Sequence, residues 1–300
     1  MRIPKGGVAF FDSGIGGLTV LAECKKRQTE EIFYYYGDNH HAPYGNLPPK
    51  KIKRYVFRAC RRFKRLKAKA VVLACNTATA VCVEELRKKF PFPIIGIEPA
   101  VFTAAAKGGK VLVLATRVTS ESERVRSLCG RAVKTFPDAQ IQVCPCDGLA
   151  GAIEKNFSDK NYDYTDYLPK ERADVVVLGC THYIYIVEQI RRFYRCPIVD
   201  GNEGIARQLF RVLDECEKEV KQRKNGKGKN RDFRPLDGQN LKKVGTLTTK
   251  IKSGGDCHNL SNKCLRKMSQ KSLNCRKGGD VFFLGKQREN NKKAYKQMFI

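Results

Sequence analysis

The chain has 300 residues and a formal net charge of +28, from 58 Lys and Arg against 30 Asp and Glu. This length suggests two domains and allows a sizeable hydrophobic core, so the 13 cysteines are not needed as a disulfide scaffold. The first residues contain no apolar signal-peptide region, and no stretch is apolar for long enough to span a membrane. We therefore expect a cytoplasmic protein with reduced thiols and anionic binding partners.

Basic residues are concentrated at the C-terminal end of the chain. Residues 216–300 carry 23 Lys and Arg against 7 Asp and Glu, and the run at 218–234 has almost no apolar residue. A solvated linker and a nucleic-acid-binding arm both fit this composition. The run carries no RNA-binding signature, which favours the linker.

Apolar runs alternate with helical patterns from residue 7 to about residue 210. Strands are predicted at 8–11, 32–36, 70–74, 93–97, 110–115, 141–144, 174–179 and 197–200. Residues 50–67 have apolar side chains at helical spacing on one side and Lys or Arg elsewhere, which predicts an amphipathic helix. This alternation predicts an α/β fold with mostly parallel sheets covered by helices on both faces.

The two halves of the pattern share one template. AVVLACNT at 70–77 and DVVVLGCT at 174–181 each place a cysteine at the end of an apolar strand. Ligands of open α/β sheets bind beyond the carboxyl ends of the strands, so two similar lobes would put Cys75 and Cys180 on opposite walls of one cleft. We expect the first lobe at 6–101 plus 207–256, the second at 102–206, and a basic C-terminal extension at 257–300.

Two facing thiols are compatible with several chemistries. A cysteine at a helix N-terminus is biased towards the thiolate, and such a pair could supply a nucleophile, metal ligands, a redox couple or an acid and a base. Neither cysteine belongs to a C-x-x-C pair, which argues against zinc and against a redox couple. Asp12 ends the first strand, in the lobe of Cys75, and His182 lies two residues beyond Cys180, so each thiol has an ionisable residue that could exchange protons with it. An acid–base pair fits best, and two simply buried cysteines are the structural alternative.

Short polar side chains surround these positions. Hydroxyl and amide groups at the strand ends suit a bound carboxylate, and they belong to Ser13, Asn76, Thr77, Thr119 and Thr181. The loop at 37–46 has the composition of a turn that covers the cleft. The chain has no dinucleotide fingerprint, no P-loop and no Schiff-base lysine motif, so we expect chemistry without a cofactor or a metal.

Four motifs in this order resemble a known family. They are FDSGIGGL at 11–18, PYG at 43–45, ACNTA at 74–78 and GCTHY at 179–183. The sequence resembles the bacterial glutamate racemases of the aspartate/glutamate racemase superfamily over about residues 6–215. The resemblance implies a cofactor-independent exchange of L- and D-glutamate that supplies D-glutamate for peptidoglycan, the polymer of the cell wall.

The resemblance also implies a role for each site residue. Cys75 would deprotonate the D-isomer with help from Asp12, and Cys180 the L-isomer with help from His182. Residues that hold the ammonium and carboxylate groups of the substrate would be Asp12, Ser13, Tyr44, Gly45, Asn76, Thr77, Thr119, Thr181 and His182. The chain beyond about Arg276 would be dispensable, since these residues all precede residue 206.

Two other functions fit the same sequence. An aspartate racemase of the superfamily shares the two cysteines and reads a shorter side chain. A basic nucleic-acid-binding protein on a retired racemase fold would use the C-terminal tail. We expect glutamate as the small-molecule partner and no membrane contact. A homodimer and a nucleic-acid contact through the tail stay open at this point.

Overall fold

The computed structural model describes residues 6–27, 31–224, 281–284 and 291–295, with all side chains in these ranges except those of 220–224. Its strands are β1 (Val8–Asp12), β2 (Phe33–Gly37), β3 (Ala70–Leu73), β4 (Ile94–Gly96), β5 (Gly109–Ala115), β6 (Ala139–Pro145), β7 (Val175–Leu178), β8 (Ile198–Asp200) and β9 (Val281–Phe283). Its α-helices are α1 (Leu18–Arg27), α2 (Pro49–Arg65), α3 (Asn76–Lys89), α4 (Val101–Ala105), α5 (Arg117–Ser120), α6 (Glu123–Thr135), α7 (Leu149–Asn156), α8 (Val187–Tyr194) and α9 (Asn202–Lys224).

The strands form two separate parallel sheets. One has the order β4-β3-β1-β2-β9 and the other the order β6-β5-β7-β8. Strands β1, β3 and β7 are buried along their whole length, which is why their sequences are continuous apolar runs without alternation. All eight predicted strands are present, so the expected two-lobed α/β fold is confirmed.

Helices cover both faces of the first sheet. Leu18 and Leu21 of α1 pack with Leu209 of α9 against one face. On the other face the buried side of α2, including Val56 and Phe63, packs with α3. The apolar spacing that predicted α2 is therefore the spacing of its core-facing side, and the helix starts with Pro49, where a missing N–H costs nothing.

The second sheet is covered in the same way. Helices α7 and α8 bury Ile153 and Ile190 against one face. Helices α4 and α6 bury Val101 and Leu128 against the other. Each lobe thus has its own core on both faces of its sheet.

The chain crosses between the lobes at two adjacent places. The first crossing follows β4 and the second follows β8 at Gly201, where an added Cβ would lie 2.4 Å from the backbone oxygen of Glu98. After the second crossing, α9 returns to the first lobe, and its Ile205 and Ala206 lie in the core of that lobe. The first lobe is therefore assembled from both ends of the described chain.

Strand β9 comes from the C-terminal region that the sequence suggested was an extension. It pairs in parallel with β2, and Leu284 just beyond it is buried in the first lobe. Tyr295, in a helical turn at 291–295, packs its ring 5.5 Å from that of Phe283. The expected extension at 257–300 is therefore wrong for 281–284 and 291–295, which belong to the first lobe, whereas racemisation without the chain beyond Arg276 stays a prediction. The basic run at 218–234 lies mostly outside the described residues, as does much of 257–300.

None of the helices in the described ranges combines the length and the apolar character that a membrane span needs.

Candidate active site

Cys75 lies where β3 ends and α3 begins. It is the N-cap residue of α3, and its sulfur accepts a hydrogen bond from the backbone N–H of Ala78 at 3.5 Å. Its thiol contacts the Ser13 hydroxyl at 3.7 Å. Cys75 therefore lies at the end of a strand, as predicted, and it is also shielded from solvent, with 5% of its surface exposed.

The predicted thiolate bias of Cys75 is wrong for this closed structure. Burial, and after it the nearby carboxylate of Asp12, raise the pKa of Cys75 to about 12. The N–H of Ala78 and the Ser13 hydroxyl oppose this effect and do not overcome it. Cys75 is therefore held as a neutral thiol, which is the form that can donate a proton.

Cys180 lies at the corresponding end of β7, in the other lobe. It precedes a 3-10 helix, Thr181–Ile186, which leads directly into α8. Its sulfur lies 3.7 Å from Nδ1 of His182. Both groups are buried, so an imidazole that is shielded from water stands beside this thiol.

His182 is held from its other side by a residue that the sequence analysis missed. Its Nε2 lies 2.6 Å from Oε1 of Glu154, on α7. Burial alone would lower the pKa of His182, but its contacts with Cys180 and Glu154 raise the pKa well above the ordinary value. The arrangement therefore favours an imidazolium between a sulfur and a carboxylate.

Glu154 also ties the second lobe to the glycine-rich loop of the first. The same Oε1 accepts a hydrogen bond from the backbone N–H of Ile15 at 2.8 Å. Gly14 lies so close that an added Cβ would fall 1.5 Å from this oxygen. The only signal in the sequence was a single acidic residue on a mostly apolar helix, which is too weak to predict a site residue.

Asp12 ends β1 and joins the two lobes from the first side. Its carboxylate accepts a hydrogen bond from the N–H of Gly14 at 2.7 Å and one from the hydroxyl of Thr181 at 3.3 Å. Burial raises the pKa of Asp12, while His182 and the N–H of Gly14 act in the opposite direction. Asp12 is thus a buried carboxyl group that can exchange a proton close to Cys75.

Three threonine hydroxyls meet across the boundary between the lobes. Thr77, from α3, lies 3.0 Å from Thr116 and 3.1 Å from Thr119, measured between Oγ1 atoms. Gly45 packs against this group, since an added Cβ would lie 2.8 Å from Cβ of Thr116. The structure brings the predicted residues Gly45, Thr77 and Thr119 together, and adds Thr116 to them.

The hydroxyl of Tyr44 forms a hydrogen bond inside the first lobe. It donates a 2.6 Å hydrogen bond to Oδ2 of Asp38. His41 contacts the same carboxylate at 2.9 Å and stacks on the ring of Tyr55. The network fixes the turn that carries Tyr44 and Gly45, so this turn can offer its backbone to a ligand in a defined position.

Asn76 directly follows Cys75, and its side-chain oxygen is buried. Within the described ranges this oxygen has no hydrogen-bond partner. A buried acceptor without a partner is costly, so it suits a site that receives a donor from a ligand.

The predicted catalytic residues therefore converge from the two lobes. Asp12 and Cys75 come from the first sheet, and Cys180 and His182 come from the second. Charge repulsion from Cys180 is one of the smaller causes that raise the pKa of Cys75, as expected if the two thiols face one site. Cys75 is held neutral, and Cys180 stands beside an imidazolium that can stabilise a thiolate, so the site can offer an acid and a base at once.

Comparison with known proteins places this site in a family. The model of the family described as Asp/Glu/hydantoin racemase matches residues 25–209. A glutamate racemase of Clostridium botulinum (strain Loch Maree / Type A3) is 39% identical over 223 residues, which cover 71% of this chain and 86% of that protein. The chain belongs to the glutamate racemases of this family.

Solved structures of other glutamate racemases have the same fold. One from Escherichia coli, in complex with L-glutamate and the activator UDP-MurNAc-ala, is 30% identical with a TM-score of 0.60. It aligns with 70% of this chain and 83% of its own. One from Francisella tularensis, in complex with D-glutamate, is 25% identical with a TM-score of 0.59, over 72% of this chain and 83% of its own.

Proposed function

We propose that this racemase interconverts L- and D-glutamate by moving the α-proton between Cys180 and Cys75, without a cofactor. The observation that carries the proposal is the pair of strand-end thiols, one from each lobe, each with its own ionisable partner. Inversion at a carbon needs a base on one face and an acid on the other, and two facing lobes supply that geometry. Relatives that bind L-glutamate and D-glutamate support the choice of substrate.

For L-glutamate, Cys180 acts as the base. His182 holds the proton of the Cys180 thiol as an imidazolium, and the Cys180 thiolate takes the α-proton, leaving the electron pair of the broken C–H bond on Cα. The neutral Cys75 thiol then donates its proton to the opposite face of Cα, which yields D-glutamate. Glu154 stabilises the charge on His182 during this step. Burial raises the pKa of Cys75 to about 12, which supports its role as the proton donor in this direction.

For D-glutamate the roles reverse. Cys75 must lose its proton before it can act as the base, and Asp12 is the buried group near it that can accept one. Cys180 then delivers a proton to the other face. Both directions balance, because each turnover takes one proton from Cα and returns one to it.

The surrounding polar groups hold the substrate. The unpartnered oxygen of Asn76 is placed to accept from the ammonium group. Hydroxyls of Ser13, Thr77, Thr119 and Thr181 are placed to donate to the carboxylates, together with the backbone at Tyr44 and Gly45. Asp12 and His182 contact the substrate from the two sides in the course of the proton transfer.

The product and the cell compartment follow from the activity. D-Glutamate is a building block of peptidoglycan, so the enzyme serves cell-wall synthesis. The ten cysteines in the described ranges are all free, which supports a cytoplasmic location. The comparisons favour glutamate over aspartate, and they give no support to a retired racemase fold.

The test compares Cys75→Ala and Cys180→Ala with Cys60→Ala, which removes a buried thiol outside the site. Circular dichroism of each glutamate isomer measures racemisation, and proton NMR in heavy water measures exchange at Cα. Each site variant should lose racemisation by at least about 10²–10⁴-fold. Cys75→Ala should still exchange the α-proton of L-glutamate, and Cys180→Ala that of D-glutamate.

The control Cys60→Ala should keep its activity. Near-normal racemisation by either folded site variant would end the two-thiol mechanism. Exchange of the wrong isomer would reverse the assignment of the two cysteines. Activity on aspartate above that on glutamate would overturn the substrate and leave the mechanism standing.

A further inference from the structure

The exposed side of α2 is entirely basic. Apart from Pro49 at its start, every exposed residue of this helix is Lys or Arg. We call these seven residues the basic face; they are Lys50, Lys51, Arg54, Arg58, Arg61, Lys64 and Arg65. No acidic residue occurs in the sequence between Asp38 and Glu84, and the ion pair of α2 with Glu85 is made by Lys53, which does not belong to the basic face.

The charges of the basic face are not compensated. Within the described ranges, none of the seven side chains has a carboxylate within 4.0 Å. Basic residues of other helices do pair, as Arg126 does with Glu123 and Arg211 with Glu215. The general excess of Lys and Arg in the chain therefore does not by itself account for a helix side on which no basic residue is paired.

The spacing aligns the charges in a row. Residues 51, 54, 58, 61 and 65 follow one another at intervals of three and four, so they share one side of the helix. At 1.5 Å per residue the row is roughly 21 Å long. Like charges at this spacing destabilise a helix, and here the packing of the opposite side against the first sheet maintains it. A row of this kind is complementary to a regular line of negative charges.

We propose that the basic face binds the phosphate backbone of double-stranded DNA. Four of the seven residues are arginines, whose guanidinium groups bind phosphate in a bidentate manner. Phosphates on B-form DNA form a regular line along a groove wide enough for a helix, whereas the major groove of double-stranded RNA is too narrow. The binding is independent of sequence, because side chains that only touch phosphates read no bases.

Other partners fit the basic face less well. Single strands bind by stacking bases on exposed aromatic rings, and Tyr55 and Phe57 of α2 are both partly buried. A membrane-bound helix inserts an apolar side, and the apolar side of α2 lies in the core. A second copy of the chain would bring two positive surfaces together. The surface lies outside the catalytic machinery, so the inference does not depend on racemisation.

The experiment measures binding of the full-length chain to a fluorescent DNA duplex by anisotropy, over a series of salt concentrations. The test variant carries Arg54→Gln, Arg58→Gln and Arg61→Gln. The matched control removes three charges from exposed positions of α6, at residues 126, 131 and 134. Both keep the basic C-terminal region, so any contribution of that region is common to all proteins compared.

We expect the test variant to bind at least about 10-fold more weakly and the control to bind like the wild type. The slope of log Kd against log salt should fall by about 0.9 for each phosphate that the variant no longer neutralises. Racemisation by the test variant should be unchanged, which shows that it is folded. Equal binding by the two variants would overturn the proposal. So would tighter wild-type binding to an RNA duplex, single-stranded DNA or vesicles of anionic lipid than to the DNA duplex.

Discussion

Replacing Gly14 by alanine should break the contact between the two lobes that holds His182. The new Cβ would lie 1.5 Å from Oε1 of Glu154, about half of the closest approach that real Cβ atoms make. The carboxylate must therefore move away, and it cannot keep both of its hydrogen bonds, to the N–H of Ile15 and to His182. The displaced group is the end of a flexible side chain, so we expect the variant to fold.

The size of the effect follows from the bond to His182. A hydrogen bond to a charged group contributes about 1.5–3 kcal/mol. At 1.36 kcal/mol for each factor of ten, kcat/KM should fall by about 10- to 150-fold. The control is Gly130→Ala, because an added Cβ at Gly130 meets nothing within 4 Å. Circular dichroism of both isomers gives the rates, and thermal unfolding gives the folded fraction. If Gly14→Ala stays within about twofold of the control, the contact with Glu154 has no role in catalysis.

Three further outcomes test separate parts of the structure. Glu154→Gln should lower the free energy of unfolding most below about pH 6.5, because the raised pKa of His182 stabilises the folded state there and this contribution is lost as pH rises through the folded-state pKa. A loss in urea unfolding that does not change with pH would refute this. Truncation after Arg276 removes β9 and the buried Leu284, so the free energy of unfolding should fall by about 1.5–3 kcal/mol relative to a chain that ends at residue 295. Equal stabilities of the two chains would contradict the pairing of β9 with β2. Tyr44→Phe removes the bond to Asp38 and should raise KM by more than it lowers kcat, and an unchanged KM would show that this bond does not hold the substrate-binding turn.

The sequence was sufficient to predict the eight strands of residues 8–200 and the meeting of Cys75 with Cys180. Each buried parallel strand is a continuous apolar run that ends at small and polar residues. A few neighbouring residues are therefore enough to identify each strand and its carboxyl end. Strand β9 escaped detection because it lies outside the alternating pattern of residues 7–210 and pairs with a strand almost the whole chain away. Such a pairing depends on the tertiary fold and leaves little trace in local sequence.

Two properties of the site were also beyond sequence analysis. Glu154 stands alone on α7, and its role depends on His182 and Ile15, which other parts of the chain bring to it. The neutral state of Cys75 is set by burial, and burial depends on how closely the lobes meet. The helix N-terminus predicted from sequence is present at Cys75, but its effect is smaller than the loss of water.

The two adjacent crossings near Gly201 determine the order in which the lobes can be completed during synthesis. Strands β5 to β8 are contiguous in the chain, so all partners of the second sheet leave the ribosome in one uninterrupted stretch. The first sheet begins earlier and receives β9 last. The lobe that carries Cys180 and His182 can therefore fold while the lobe that carries Asp12 and Cys75 still has an unpaired edge at β2.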